Sequence, residues 1–128
     1  MGRASVREQP SFGSGIPIRN VSWNECRKFI ATLVDKIDDK LNELGPRAVE
    51  EFSGYYFSMP TELQWEYAYR KGFLKVYNEE TLDWCSDLYD DTGNRVVRGS
   101  DDQRNGRDPK LWFGHVGFRL VIVPKGAE

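Results

Sequence analysis

The softest metal ligands in this sequence are two cysteines, Cys26 and Cys85, and its one histidine is His115. A metal site needs several convergent donors, so a single histidine is expected to be a loop residue rather than a ligand. Cys26 falls among apolar residues at helical spacing, where a free cysteine behaves as a small buried hydrophobe. The two cysteines could also pair as a disulfide, which the sequence alone leaves open.

A long amphipathic helix is predicted to hold Cys26. Ser22 and Glu25 have the spacing of a capping box, and Gly45-Pro46 ends the helical pattern. Apolar residues recur between these limits at spacings of three and four, with charged residues on the other side, which is typical of one buried and one solvated face. The apolar positions are Cys26, Phe29, Ile30, Leu33, Val34, Ile37, Leu41 and Leu44.

A second, shorter helix is predicted to begin at Thr61. Thr61 and Gln64 form another capping box, and Pro60 stops the preceding segment from running into the helix. Gly72 is placed where a residue in the left-handed conformation would end it. Trp65 is expected to be the buried aromatic anchor of this helix.

The remaining pattern predicts an α+β fold. Residues 55–57, 96–97 and 118–123 are short β-prone runs, and a long polar segment lies between Gly99 and Gly117. We therefore expect two helices packed on a small, twisted, mainly antiparallel sheet with long irregular loops.

Composition agrees with one domain. The chain has 128 residues, of which 39% are hydrophobic and 13% aromatic, enough for a single core. We expect a flexible leader over residues 1–16, the domain over 17–124 and a tail over 125–128. A net charge of −2 with interspersed acids and bases argues against nucleic-acid binding. No apolar run predicts a membrane span or a secretory signal, and the compartment is left open.

Five motifs, read in order, resemble the formylglycine-generating enzyme family, also called sulfatase-modifying factors. They are Val21-Ser22-Trp23, residues 57–72, Trp84-Cys85-Ser86-Asp87, residues 95–100 and Gly117-Phe118-Arg119-Leu120. The resemblance covers roughly residues 17–123 and is to a trimmed version of the family domain. It implies a C-type-lectin-like fold.

The same resemblance implies an oxidase that converts a cysteine of a sulfatase to formylglycine, with copper held by two cysteines just before the Gly-Phe-Arg motif. The matching interval here, residues 100–116, contains no cysteine, and copper(I) requires soft thiolate ligands. Related iron enzymes use a histidine triad, whereas this chain has only His115. We therefore predict no catalytic residues, and an oxidase with a rearranged copper site is the least favoured alternative.

Family members also bind calcium near an insertion that is trimmed in this chain. The resemblance makes Glu80, Asp83 and Asp87 calcium candidates. Calcium takes six to eight oxygen ligands, of which these carboxylates supply a fragment, and clustered acids on a loop are commonly solvated. The primary expectation is that the chain has no cofactor.

Under a C-type-lectin-like fold, residues 99–115 form an exposed loop on a rigid scaffold, which is where recognition usually occurs. The candidate ligand-binding residues are Asp101, Arg104, Asn105, Arg107, Trp112 and His115. In the opposite interpretation, Trp112 and Phe113 fold back onto the core. Arg104 and Arg107 then pair with Asp101, Asp102 and Asp108.

The expected function is non-catalytic recognition of a protein or glycan ligand, as in variable ligand-binding or phage-tail proteins. The alternative is a structural subunit of a homo-oligomer or a larger assembly.

Overall fold

The computed structural model describes residues 18–74, 82–100 and 103–125 and has an α+β fold. The described helices are α1 (Trp23–Leu44), α2 (Pro46–Phe52) and α3 (Glu62–Arg70). The described strands are β1 (Ile18–Arg19), β2 (Tyr55–Ser58), β3 (Leu82–Leu88), β4 (Arg95–Gly99), β5 (Arg104–Arg107), β6 (Val116–Phe118) and β7 (Val121–Pro124). The predicted leader, residues 126–128 of the predicted tail, Glu80 and Asp101 lie outside the described residues.

Both predicted capping boxes are confirmed. Ser22 Oγ accepts a hydrogen bond from the Glu25 backbone at 3.0 Å, and Thr61 Oγ1 accepts one from the Gln64 backbone at 3.1 Å. In return, the Glu25 and Gln64 side-chain oxygens accept hydrogen bonds from the backbone N–H groups of Ser22 and Thr61, each at 2.9 Å. These reciprocal bonds satisfy N–H groups that a helix start would otherwise leave open.

Helix α2 was missed by the sequence interpretation, which expected only two helices. Gly45 ends α1 with φ of +111°, as its sequence position suggested, but Pro46 then begins a new helix instead of an irregular segment. The physical reason is that proline lacks only an N–H that the first helical turn does not use, so Pro46 is compatible with the first position of α2.

The strands form two sheets rather than the single sheet expected. The larger sheet has the order β1-β6-β3-β4-β5, with β3 and β6 parallel and the other neighbours antiparallel, and β2 pairs with β7 in a separate antiparallel sheet. The run at 118–123, predicted as one strand, is split between the two sheets. The break falls at Arg119, whose Nε donates to Asp83 Oδ2 at 2.8 Å.

The core lies on both sides of the larger sheet. One hydrophobic cluster contains Trp23, Trp84 and Val97, and a second contains Trp65 and Val96. Each of the three tryptophans is buried and donates its indole N–H to a protein acceptor, so none loses a hydrogen bond on burial. None of the described helices is long and apolar enough to cross a membrane.

The cysteines belong to different clusters and are both buried as free thiols. Cys26 packs with the first cluster and Cys85 with the second, so the disulfide that the sequence left open is not formed. Burial raises the pKa of both thiols well above the usual range, which disfavours the thiolate form.

Candidate functional site

The segment that contains the predicted ligand-binding residues is more regular than expected. Residues 104–107 form β5, the edge strand of the larger sheet, and pair with β4 from Arg95↔Arg107 to Arg98↔Arg104. The prediction of one irregular loop over 99–115 is therefore wrong at these positions. Asn105-Gly106 has little intrinsic strand preference, and pairing with a neighbouring strand overrides that preference.

Side chains alternate between the two faces of a strand, so β5 divides the candidates. The α3 face of β4 and β5 carries Val96, Arg98, Arg104 and Gly106, and the α1 face carries Arg95, Val97, Asn105 and Arg107. The predicted residues Arg104 and Arg107 thus point to opposite sides of the sheet and do not form one cluster.

On the α3 face, the arginines are paired with carboxylates of α3. Arg98 Nη1 lies 3.1 Å from Glu62 Oε2, and Arg98 Nη2 lies 2.5 Å from Glu66 Oε1. Arg104 contacts both oxygens of Glu62, with its Nη2 3.1 Å from Oε1. The hydrogen bond from Arg104 lowers the pKa of Glu62, and the hydrogen bond from Arg98 lowers the pKa of Glu66. Arg104 therefore pairs with α3 and forms no ion pair with Asp108. The other two expected partners, Asp101 and Asp102, lie outside the described residues.

Gly106 leaves space on the α3 face for the side chain of Tyr89. A Cβ atom at Gly106 would lie 2.9 Å from Tyr89 Cβ and closer still to the ring. The Tyr89 ring in turn lies 5.0 Å from Arg104 Cζ, within the range of a cation–π contact. The absent side chain at Gly106 therefore makes room for the ring that supports Arg104.

On the α1 face, the arginines lie against aromatic rings. Arg95 Cζ is 4.1 Å and Arg27 Cζ is 5.2 Å from the centre of the Trp23 ring. Arg107 Cζ is 4.8 Å from the centre of the Phe113 ring. Among the described residues, no carboxylate forms an ion pair with any of these three arginines.

Residues 108–113 are anchored to the rest of the fold. The backbone of Asn24, at the start of α1, donates to Pro109 O at 3.1 Å, and Asp108 Oδ1 accepts from the Lys110 backbone at 2.9 Å. Phe113 packs on the first core cluster, with its ring centre 6.3 Å from that of Trp84. Phe113 thus folds back onto the core, and Trp112 is half-buried.

His115 is fixed through its backbone. It adopts φ of +68°, a left-handed conformation in which histidine is enriched among non-glycine residues. Its N–H donates to Asn20 Oδ1 at 3.3 Å, and its carbonyl accepts from the Leu82 N–H at 2.8 Å. The residue as a whole is exposed.

The described calcium candidates already accept hydrogen bonds from protein groups. Asp83 is 3% exposed, and its Oδ2 accepts from Trp65 Nε1 at 2.9 Å as well as from Arg119. Asp87 Oδ1 accepts from the Glu62 backbone at 2.7 Å, at the start of α3. Within residues 18–74, 82–100 and 103–125, no three histidine, cysteine, aspartate or glutamate side chains form a group that could hold a metal.

A separate apolar groove lies between α1, α2 and the β2–β7 sheet. Its volume is about 800 Å³, and its lining includes Val34, Leu41, Phe52, Tyr55 and Ile122. Of the predicted ligand-binding residues that the structure describes, none lines this groove.

Sequence reasoning missed Glu62, Glu66, Arg27 and Arg95. The spacing of Glu62 and Glu66 by four residues puts both on one side of α3, which was a usable signal for a shared partner. Which arginine pairs with them depends on strand register, and a single sequence does not reveal it.

No protein-family model, curated protein or solved structure matches this chain.

Proposed function

We propose that this chain is a non-catalytic recognition module on a C-type-lectin-like scaffold, and that residues 103–115 with the α1 face of β5 bind an oligosaccharide. The observation that carries the proposal is a rigidly held backbone with polar side chains directed outward. β5 is hydrogen-bonded to β4, Pro109 is tied to α1 and Phe113 is packed on the core. Binding residues are commonly found on surface segments that a rigid scaffold positions.

The motifs that resemble the family make contacts with one another, which favours a role in stabilising the scaffold. Two of them meet at Asp83, whose Oδ2 accepts hydrogen bonds from Trp65 Nε1 and from Arg119 Nε. Trp84 Nε1 donates to Val21 O at 2.8 Å and thereby joins two further motifs to each other. Residues that interlock in the core in this way stabilise a fold, and such a role needs no chemistry at the motif positions.

The cysteine environments favour a non-catalytic role. Copper(I) binds thiolates, and both thiols here are fully buried with raised pKa values. The two side chains also belong to clusters on opposite sides of the sheet. A rearranged copper site at Cys26 and Cys85 would require the core to open.

The polarity of the segment favours an oligosaccharide over a protein as the ligand. Protein interfaces are usually centred on aromatic anchors that become buried on binding. Here Phe113 is already packed on the core and Trp112 is half-buried, whereas Gln103, Asn105 and Lys110 are exposed. Exposed amide and ammonium groups are suited to hydrogen bonding with hydroxyl groups.

A glycan microarray tests this proposal. The fluorescently labelled chain is expected to bind a discrete set of glycans, and the Asn105→Ala/Lys110→Ala variant should lose about tenfold or more of the array affinity. Asn42→Ala/Lys36→Ala is the matched control, because it removes the same two residue types from exposed positions on α1. Binding to no glycan, or equal loss in both variants, would refute the proposal.

A further inference from the structure

We infer that Arg27, Arg95 and Arg107 form an oxyanion-binding site, which takes a sulfate or carboxylate group of the ligand. Only the assignment of that ligand to the oligosaccharides rests on the proposed function above. The oxyanion site itself rests on the geometry and charge of the α1 face.

The three arginines come from three elements, α1, β4 and β5. Arg95 and Arg107 are direct partners across β4 and β5, so their Cα atoms are neighbours in the ladder. Arg27 comes from the second turn of α1 and lies against the ring of Trp23, which Arg95 also contacts. Trp23 is 6% exposed and its Nε1 donates to Cys85 O at 3.0 Å, so its ring is held in place against both guanidinium groups.

No described carboxylate balances the positive charge of these three arginines. Like charges directly opposite each other on neighbouring strands are destabilising. The one carboxylate next to these arginines in sequence, Asp108, accepts a hydrogen bond from the Lys110 backbone and forms no ion pair with Arg107 within the described residues. An oxyanion from a ligand would supply the missing negative charge.

Arg95 still has an N–H group in the site that makes no hydrogen bond. Its Nη1 donates to Ser86 O at 2.9 Å, which fixes the guanidinium group over Trp23. Its Nε is buried and has no hydrogen-bond partner. Arg27 is exposed and Arg107 is half-buried, so both can present N–H groups to solvent. Planar guanidinium groups bind carboxylate and sulfate-like oxyanions through paired N–H donors.

Nuclear magnetic resonance with inorganic sulfate tests the site without any glycan. Sodium sulfate is titrated against sodium chloride at equal ionic strength, and the arginine Nε–H signals are followed. We expect saturable shifts of the Arg27 and Arg107 signals and no shift of Arg98, whose Nε donates to Gln103 O at 3.1 Å. Uniform shifts of all arginines, or no saturation, would overturn the inference.

Calorimetry with a heparin-derived hexasaccharide tests the role of the site in ligand binding. At about 0.15 M salt, Arg27→Gln/Arg107→Gln is expected to weaken binding by about tenfold or more. The control Lys36→Gln/Arg47→Gln removes the same net charge from exposed positions of α1 and α2 and should change the affinity less than about threefold. Equal losses in the two variants would mean that charge alone drives binding, which would overturn the inference.

The two proposals fail in different ways. Binding of neutral glycans through residues 103–115, with no sulfate response at Arg27 and Arg107, would leave the recognition module standing and remove the oxyanion site. A saturable sulfate response with no glycan bound on the array would support the oxyanion site and remove the oligosaccharide assignment.

Discussion

The two faces of β4 and β5 carry the same residue type in opposite electrostatic environments. On the α3 face, Arg98 and Arg104 are held by Glu62 and Glu66. On the α1 face, Arg95 and Arg107 lie over aromatic rings, and no described carboxylate pairs with them. Two arginines of the same strand therefore differ in whether a protein carboxylate balances their charge.

This difference separates stability from recognition. All three guanidinium nitrogens of Arg98 are engaged and its side chain is only 7% exposed. Removing it would take the most buried cation away from Glu62 and Glu66, which would keep only their more exposed partners, Arg104 and Arg70. A charge pair of this kind contributes to the fold and has little capacity left for a ligand. Arginines without carboxylate partners add little to stability, and their charge stays available to an external anion.

The largest effect is expected for Arg98→Ala. Breaking a buried ion pair from one side is strongly destabilising, but Glu62 and Glu66 keep part of their exposure and can regain water. We therefore expect the free energy of unfolding to fall by about 2–4 kcal/mol, measured by urea denaturation. Loss of the contact between Arg98 and the Trp65 ring, at 4.9 Å, adds to this effect.

Arg107→Ala is the matched variant on the other face. It also shortens an arginine on these two strands, but it removes no ion pair and relieves the repulsion with Arg95. Its unfolding free energy should stay within about 0.5 kcal/mol of that of the original chain. Equal destabilisation by the two substitutions would show that the faces do not differ as described.

A smaller effect is expected for Gly106→Ala. The added methyl group would overlap the Tyr89 side chain, whose Cβ would be only 2.9 Å away, and the ring beneath Arg104 would have to move. Overpacking of this size typically lowers the unfolding free energy by about 1–3 kcal/mol. Thermal denaturation followed by circular dichroism would measure it.

Gly114→Ala provides the control for Gly106→Ala. Nothing lies within 4 Å of a Cβ built at Gly114, and its backbone is not in the left-handed region. It should therefore be neutral or slightly stabilising. A Gly106→Ala variant that melts like Gly114→Ala would mean that Tyr89 moves aside freely and does not support Arg104.

Local signals in the sequence were sufficient for α1 and α3 but not for α2 or for the site. Each capping box involves residues three apart, so the starts of α1 and α3 could be predicted without knowing the fold. The pairing of Arg98 with Glu62 spans 36 residues, and that of Arg104 with Glu62 spans 42. Both depend on the register of β4 against β5, which one sequence does not specify.

The same reason explains the errors in the strands. Residues 118–123 look like one β-prone run, yet Phe118 is 3% exposed in one core cluster and Val123 belongs to the second sheet. The change of sheet falls at Arg119, whose side chain bonds to the buried Asp83, another long-range contact. Residues 104–107 become a strand only because β4 lies beside them.

The smallest predicted effect concerns acid stability and arises only from the α3 face. The folded protein lowers the pKa of Glu62 from 4.5 through its hydrogen bond with Arg104, so the stabilisation is fully present above pH 4.5 and is lost as the pH falls through the folded value. In urea denaturation, the original chain should have a higher unfolding free energy than Glu62→Gln at about pH 7. This difference should shrink as the pH is lowered to about pH 3. Arg107→Ala, which leaves this pair intact, should follow the original chain in parallel. A constant gap for Glu62→Gln would mean that solvent screens the Arg104–Glu62 pair, because about a fifth of the Glu62 side chain is exposed.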